Sequence, residues 1–246
     1  MAFSGAFIKP FRPAFDAGLA AAGNGLLNNL VAYWALDEAT GNRADSHGAN
    51  TLTPVGAGVS YAAAKIGNGV SFAAANNYLN IADNSAVSLD GTDWTLACWC
   101  YATAFGGAPA NTLLCKATTS NEWELIYRGP TSSGSSRFRM SVFGSTATSI
   151  DASTPTPVIN TWYFVAAWLA GNTLSIQVNN GTVYSTTLLA AVPVTNAPFR
   201  IGSYGTGNQW LGIIDEAAIW HAALTAAQRT ALFNSGAGLA YAAFTT

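Results

Sequence analysis

The sequence contains one pair of acidic residues at a spacing that suits acid–base chemistry. Glu122 and Glu124 flank Trp123 in a segment rich in strand-forming residues. Alternate residues of a strand point to the same side, and their Cα atoms lie about 6.6 Å apart. Glycoside hydrolases use two neighbouring carboxyl groups, one of them as the acid. The simpler interpretation, which we favour, is a polar strand face with Arg128 close by.

Other catalytic or metal-binding patterns are missing from the sequence. There is no Gly-x-Ser-x-Gly elbow, no Walker loop and no HExxH motif. The two histidines, His47 and His221, are too few for a histidine-rich metal site. Cys98, Cys100 and Cys115 have no CxxC spacing, so we expect buried free thiols. We therefore expect a protein that is not an enzyme.

A glycine-rich segment has the residue types of a sugar-binding loop. Residues 203–210 read Ser-Tyr-Gly-Thr-Gly-Asn-Gln-Trp, which combines aromatic rings with amide donors and acceptors. The alternative is a solvated loop whose tryptophan packs over a sheet. Trp123 also lies near a predicted loop. The glycan-binding candidates are Trp210, Asn208, Gln209, Tyr204 and Trp123.

Charge and hydropathy exclude several partners. Only 9% of the 246 residues are charged, and the net charge is −2 with ten basic residues. Nucleic-acid binding needs clustered Lys and Arg, so we expect no nucleic-acid partner. No apolar run approaches the ~20 residues of a membrane span. We predict no signal peptide and no membrane insertion, and synthesis in the cytoplasm of a host cell.

Residues 1–29 differ from the rest and predict an extended N-terminal arm. Phenylalanines recur every fourth residue, but Pro10 and Pro13 prevent a helix there. Exposed phenylalanines on a free tail would aggregate, so something should cover them. The arm either docks into a neighbouring subunit, lies on its own domain as a strap, or is a disordered tail. Its aromatic anchors are Phe3, Phe7, Phe11 and Phe15.

From residue 30 to residue 246 the pattern is one domain of short strands separated by turn signals. Thr225 and Gln228 form a capping box before a single helix, Ala226–Phe233, and Gly236 follows as a stop signal. These elements predict an all-β fold, a two-sheet antiparallel jelly-roll sandwich with one short C-terminal helix. The predicted strands are 30–35, 70–72, 78–81, 94–101, 112–116, 122–128, 137–143, 163–169, 174–178, 182–187, 199–201 and 211–220.

Several segments together resemble the laminin-G-like jelly roll of the concanavalin A-like lectin/glucanase superfamily. The similarity extends from about residue 30 to residue 238, and its motifs are specific for fold rather than function. The strongest is Gly-Ile-Ile-Asp-Glu-Ala-Ala-Ile-Trp at 212–220, followed by Leu-Thr-Ala-Ala-Gln-Arg at 224–229. The other matching segments are 30–41, 45–48, 94–101, 162–165 and 174–181.

The resemblance implies a structural calcium ion at the sandwich edge, because such domains often hold one with acidic side chains and carbonyls. The implied calcium ligands are Asp37, Asp45, Asn50 and Asp215. The alternative is that these residues cap turns and bond backbone amides.

The related glucanases carry a Glu-x-Asp-x-x-Glu strand motif. Here the corresponding positions are Glu122, Glu124 and Tyr127, so the last acid is missing.

The combined observations predict a structural or interaction protein. Jelly rolls are common in viral capsid proteins, and a laminin-G-like domain behind a short arm resembles bacteriophage surface proteins. We predict a virion-surface protein, a capsid decoration or tail component. Its residues 1–29 would bind a second copy of the chain, forming a homo-oligomer, or capsid or tail proteins. Adhesion to cell-surface glycans is compatible with this role. A lectin-type module without a virion role is the alternative, and a glycoside hydrolase ranks last.

Overall fold

A computed structural model describes residues 23–91, 93–105, 110–117, 121–129, 136–205 and 207–246. Residues 1–22 of the predicted arm, with its four phenylalanines, lie outside these ranges. Within them the chain forms fifteen strands and one α-helix. These are β1 (Leu30–Trp34), β2 (Thr53–Val55), β3 (Val59–Ala63), β4 (Asn68–Phe72), β5 (Tyr78–Ile81), β6 (Trp94–Ala104), β7 (Ala110–Ala117), β8 (Asn121–Arg128), β9 (Arg137–Phe143), β10 (Ala147–Ala152), β11 (Trp162–Ala170), β12 (Thr173–Val178), β13 (Val183–Thr187), β14 (Phe199–Ile201), β15 (Leu211–Trp220) and α1 (Ala226–Phe233).

The strands form two antiparallel sheets. One sheet has eight strands in the order β13-β12-β11-β6-β15-β4-β3, and β1 also pairs with β15. The long β15 pairs with β4 through Gly212–Ile214 and with β1 through its last residues, Ala217 to Trp220. The other sheet has seven strands in the order β10-β9-β8-β7-β14-β5-β2. This is the predicted two-sheet jelly-roll sandwich.

The core lies between the two sheets and follows from the alternation of side chains along each strand. In β9, the buried Phe138, Met140 and Val142 alternate with Arg139 and Ser141, which point away from the core. Tryptophans contribute much of this core, because large rings remove much apolar surface from water. The fully buried members are Trp34, Trp94, Trp123 and Trp210.

A second apolar cluster covers the outer face of the eight-stranded sheet. Helix α1 and the C-terminal segment pack there through Leu232 and Phe244. Leu26 is buried in the same cluster, and its carbonyl accepts a hydrogen bond from Trp220 Nε1 at 2.8 Å. Asn24 also donates from its side chain to the Ala243 carbonyl, at 2.8 Å. The sequence placed the start of the domain at residue 30, whereas Asn24 and Leu26 already contact the folded domain.

All the predicted strands occur, with ends that differ by a few residues at most. The sequence missed β2, β3 and β10, which are all terminal strands of their sheets. An edge strand has one partner and buries little, so its hydrophobic alternation is weak. β2 contains Pro54, which cannot donate a ladder hydrogen bond. No helix among the described residues is long and apolar enough to cross a membrane.

The capping box of α1 forms as predicted, but the helix ends differently. Thr225 accepts a hydrogen bond from the Gln228 backbone, and Gln228 Oε1 accepts one from Thr225 N. The left-handed residue that ends the helix is Asn234, with φ 45°, rather than Gly236. Asparagine tolerates this conformation because its short side chain bonds locally. Here Asn234 Nδ2 donates to the Gly238 carbonyl at 2.8 Å.

Thr225→Ala is expected to lower the free energy of unfolding by about 1 kcal/mol. The substitution leaves the Gln228 N–H without its side-chain acceptor at the helix start. Chemical denaturation of the variant and the parent protein measures the difference. Thr182→Ala is the matched control, since Thr182 is an exposed threonine before β13. Equal losses in both variants would contradict a capping role for Thr225.

Candidate functional site

The outer face of the seven-stranded sheet carries a row of polar side chains. The strand register brings Asn80, Arg200, Cys115, Glu124 and Ser141 into line across five neighbouring strands. Residues at paired positions point to the same side of a sheet, so these side chains share one face, in which Cys115 and Ser141 are buried. We define the polar face as Tyr78, Asn80, Glu124, Arg128, Arg137, Arg139, Ser141, Ser149, Asp151 and Arg200.

An ion pair orders one end of the polar face. Arg139 donates two hydrogen bonds to Asp151, from Nε to Oδ1 at 2.6 Å and from Nη2 to Oδ2 at 2.8 Å. Arg137 adds a third contact to Oδ2 at 3.3 Å. Burial alone would raise the pKa of Asp151. The hydrogen bond from Arg139 and the charges of both arginines outweigh burial, so the pKa of Asp151 is lowered.

Glu124 lies at the centre of the polar face and is half-buried. Burial raises its pKa, and the charge of Arg139 and a hydrogen bond to Ser141 only partly offset that effect. Glu124 therefore places a half-buried carboxyl group at the centre of the polar face.

Arg200 organises the other end of the polar face together with the loop that follows β14. Its guanidinium carbon lies 4.9 Å from the centre of the Tyr78 ring. Its Nη1 donates to the carbonyl of Tyr204. The Tyr204 hydroxyl in turn donates to Asn121 Oδ1. Two tyrosine rings, an amide and a guanidinium thus converge at this end, and each is partly accessible.

The predicted glycan-binding residues separate into three groups. Trp123 is 0% exposed and Trp210 is 1% exposed, so neither ring has a face available for a sugar, and their selection as candidates was wrong. Asn208 and Gln209 attach the loop to β7, where the Asn208 carbonyl accepts from Thr112 N at 2.6 Å. Tyr204 alone of the candidates contacts the polar face.

The predicted acidic pair is not a catalytic pair. A bulge between Lys116 and Ala117 interrupts the regular β7–β8 register, and Glu122 is buried with Lys116 as its partner. Glu124 has a separate set of neighbours, Ser141 and Arg139. The expectation that both glutamates face the same way assumed a regular strand, and the bulge removes that regularity.

Two of the implied calcium ligands occupy one turn and bond to each other. Asp45 Oδ1 accepts from the backbone N–H groups of Tyr33 and His47, each at 3.0 Å. Its Oδ2 accepts from Asn50 N at 3.1 Å and from Asn50 Nδ2 at 2.8 Å. Both carboxylate oxygens are therefore engaged by N–H donors. Asp45 and Asn50 do not fit a calcium site.

The other two implied ligands hold a different turn. Asp37 Oδ1 accepts from Asn68 N at 2.7 Å, and Asp215 Oδ2 accepts from Ile66 N at 2.9 Å. Asp215 is fully buried, and its Oδ1 has no hydrogen-bond partner. Within the described ranges, no three side chains of His, Cys, Asp or Glu are placed to hold a metal ion. The four residues thus do not form one site, and a calcium ion at Asp37 and Asp215 stays a prediction.

A cavity of about 590 Å³ opens beside the β11–β12 turn. Asp93 lines it and accepts a hydrogen bond from Gly171 N at 2.8 Å. The other walls are mostly aliphatic and include Leu188 and Val192, together with the polar Asn172. None of the described residues that line this cavity is aromatic, whereas Tyr78 and Tyr204 lie at the polar face. The polar face is therefore the stronger candidate site for a sugar.

Solved structures share this fold at low sequence identity. The binding domain of Paraclostridial Mosquitocidal Protein 1 is 16% identical with a TM-score of 0.70, over 86% of this chain and 53% of that one. Domain 4 of AbnA, an arabinanase from Geobacillus stearothermophilus, is 17% identical with a TM-score of 0.63, over 86% and 98%. The binding domain of Botulinum Neurotoxin DC is 11% identical with a TM-score of 0.63, over 85% and 52%.

The chain thus spans about half the length of the two toxin domains and nearly all of the arabinanase domain. No curated protein matches the sequence. The family model of the concanavalin A-like lectin/glucanase superfamily matches residues 73–228, more than half of the chain. With the two antiparallel sheets and the closing helix described above, the chain belongs to the concanavalin A-like lectin/glucanase superfamily.

Proposed function

We propose that this protein is a non-catalytic carbohydrate-binding module whose ligand lies across the polar face. The observation that carries the proposal is the difference between the two outer sheet faces. Helix α1 and the C-terminal segment cover the eight-stranded sheet with apolar side chains. The seven-stranded sheet presents carboxyl, amide, hydroxyl and guanidinium groups beside Tyr78 and Tyr204. Rings and hydrogen-bonding groups of this kind suit a sugar.

Two structural relatives support a sugar as the ligand. Domain 4 of AbnA was solved in complex with arabinotriose. The binding domain of Botulinum Neurotoxin DC was solved in complex with SialylT. Because the identities are low, these relatives support the class of ligand and not the residues that bind it.

The arginines of the polar face favour a sugar that carries an acidic group. Arg128, Arg137, Arg139 and Arg200 are four of the ten basic residues of a chain whose net charge is −2. Asp151 neutralises part of this charge through its ion pair with Arg139. Guanidinium groups bind carboxylates with paired hydrogen bonds. We therefore expect uronic or sialic acids to bind better than neutral sugars.

Tyr204→Ala is expected to weaken glycan binding about tenfold, which corresponds to about 1.4 kcal/mol. The substitution removes a ring at the edge of the polar face and the hydroxyl that contacts Asn121. A glycan array with neutral and acidic sugars identifies the ligand, and titration calorimetry measures its affinity. Tyr61→Ala is the matched control, because Tyr61 is 50% exposed on β3 of the other sheet.

A parent protein that binds no glycan on the array would overturn the proposed function. Equal loss of affinity in the Tyr204 and Tyr61 variants would place the site elsewhere. The virion-surface location and the docking of residues 1–29 to a second copy, a capsid or a tail stay predictions from the N-terminal sequence. They are compatible with a displayed glycan-binding domain.

A further inference from the structure

The seven-stranded sheet buries a lysine on its core side. Lys116 pairs with Phe199 on β14 and with Trp123 on β8, and both of these side chains belong to the core. The Lys116 side chain is 0% exposed. An ammonium group is costly to remove from water unless it is paired. The buried amine of Lys116 therefore requires negatively charged partners.

Two carboxyl groups meet the Lys116 amine. Asp83, which follows β5, places Oδ1 at 2.8 Å from Lys116 Nζ. Glu122 on β8 places Oε1 against the same nitrogen. The carbonyl of Thr195 accepts a further hydrogen bond at 3.1 Å. Glu122 is as buried as the lysine, whereas the Asp83 side chain is 30% exposed.

Glu122 is held in place from a third direction. Its Oε1 also accepts from Thr195 N at 2.7 Å and from Thr195 Oγ1 at 2.9 Å. Its Oε2 is buried and has no hydrogen-bond partner among the described residues. The β7–β8 bulge brings this side chain beside Lys116. Glu122 thus has an oxygen free to take up and release a proton next to the amine.

We propose that Lys116 and Asp83 form an intramolecular amide bond, an isopeptide cross-link, with Glu122 as the proton-transfer group. The fold holds the amine against the carboxyl group, which gives the reaction a high effective molarity. Water is excluded from the lysine and the glutamate, while the exposed side of Asp83 offers an exit for a leaving water molecule. The amide also removes one positive and one negative charge from a buried site.

The reaction balances without any other reagent. Lys116 Nζ gives one proton through Glu122 to the Asp83 carboxylate, and the neutral amine then attacks Asp83 Cγ. A new N–C bond forms, and one C–O bond of the carboxyl group breaks. Glu122 carries a second proton from Nζ to the departing hydroxyl, which leaves as water. The ammonium and the carboxylate become an amide and one water molecule, and Glu122 returns to its starting state.

The cross-link would join β7 to the segment after β5, across β14, which lies between these strands. A covalent link between distant segments stabilises a protein by restricting its unfolded chain. Unlike a disulfide, an amide bond is not broken by reductants. This property suits an adhesive domain that must resist unfolding.

The test is the intact mass of the purified full chain together with peptide mapping. The proposal predicts a mass lower than that of the sequence by one water molecule, and a branched peptide linking Lys116 to Asp83. An intact mass equal to that of the sequence, in folded protein, would overturn it. Loss of water mapped to another position, such as a succinimide at Asp90-Gly91, would overturn it as well.

Variants assign the roles of the three residues. Lys116→Met and Glu122→Gln should each have the mass calculated from the variant's own sequence. Lys65→Met is the lysine control, and its mass should still be lower than calculated by one water molecule. Asp83→Asn should lose ammonia instead of water, because the amide nitrogen then becomes the leaving group. A branched peptide in Lys116→Met would contradict the assignment. Since the parent protein alone shows the bond, a variant that fails to fold does not prevent the test.

Discussion

Trp210→Ala is expected to lower the free energy of unfolding by about 3–5 kcal/mol, the usual cost of removing a large aromatic side chain from a core. Trp210 is 1% exposed and belongs to the core between the sheets. Its Nε1 donates to the Ile213 carbonyl at 3.2 Å, so the substitution also leaves that acceptor without its partner. The variant should keep any glycan affinity at temperatures where it remains folded.

Urea denaturation followed by fluorescence measures this loss. Tyr61→Ala serves as the control for removing an exposed aromatic ring, and its effect should stay within about 0.5 kcal/mol. Trp210→Phe should fall between the parent and the alanine variant, because most of the buried volume remains. If the Trp210→Ala variant were as stable as the parent protein but no longer bound glycan, Trp210 would belong to the binding site after all.

The second large effect is a fall in stability as the pH rises from about 4 to about 8. Burial raises the pKa of Asp215 to about 8, and burial also raises the pKa of Glu216 to about 8. Unfolding exposes both groups to water, where they ionise near pH 4. The folded state therefore binds more protons than the unfolded state throughout this range, and stability is lost with increasing pH.

The size of this effect follows from the same shifts. Each pKa unit corresponds to about 1.4 kcal/mol, so the two groups together should remove several kcal/mol across the range. Asp151 acts in the opposite direction at lower pH, because its pKa is lowered in the folded state. Its contribution is lost as the pH falls through the acid range, so maximum stability should lie on the acidic side of neutrality.

Urea denaturation at several pH values, in the presence of a chelator, measures how steeply the free energy of unfolding falls with pH. Glu216→Gln should remove about half of it, because one of the two titrating groups is lost. A flat profile in the parent protein would contradict the buried, protonated state of these acids. A slope that reverses when calcium is added would show that the ion binds ionised carboxylates, as the family resemblance implied for Asp215.

Both predictions depend on contacts that the local sequence does not reveal. The tryptophan at 210 follows a glycine-rich polar loop, which is typical of an exposed binding segment. The backbone N–H of Trp210 bonds to the Gly202 carbonyl at 2.7 Å, which returns the loop to the sheet. The ring therefore packs in the core, whereas the proposed binding surface lies on the other side of the seven-stranded sheet.

The sequence by itself determined the helix and twelve of the fifteen strands, because their signals act between near neighbours. Alternation at every second residue marked the central strands, and Thr225 with Gln228 marked the helix start. The same local motifs identified the superfamily. The β11–β12–β13 meander followed from the Asn and Gly residues of its turns.

Only the tertiary structure decided which side chains meet. The Arg200–Tyr78 contact and the Lys116–Asp83 pair each join segments that are distant in the sequence. The β7–β8 bulge gave Glu122 and Glu124 different partners, although their spacing predicted one common face. Which sheet face is covered depends on where α1 docks, and docking is a sum of many weak apolar contacts. Sequence periodicity describes each strand alone, whereas a site forms from strands that the fold brings together.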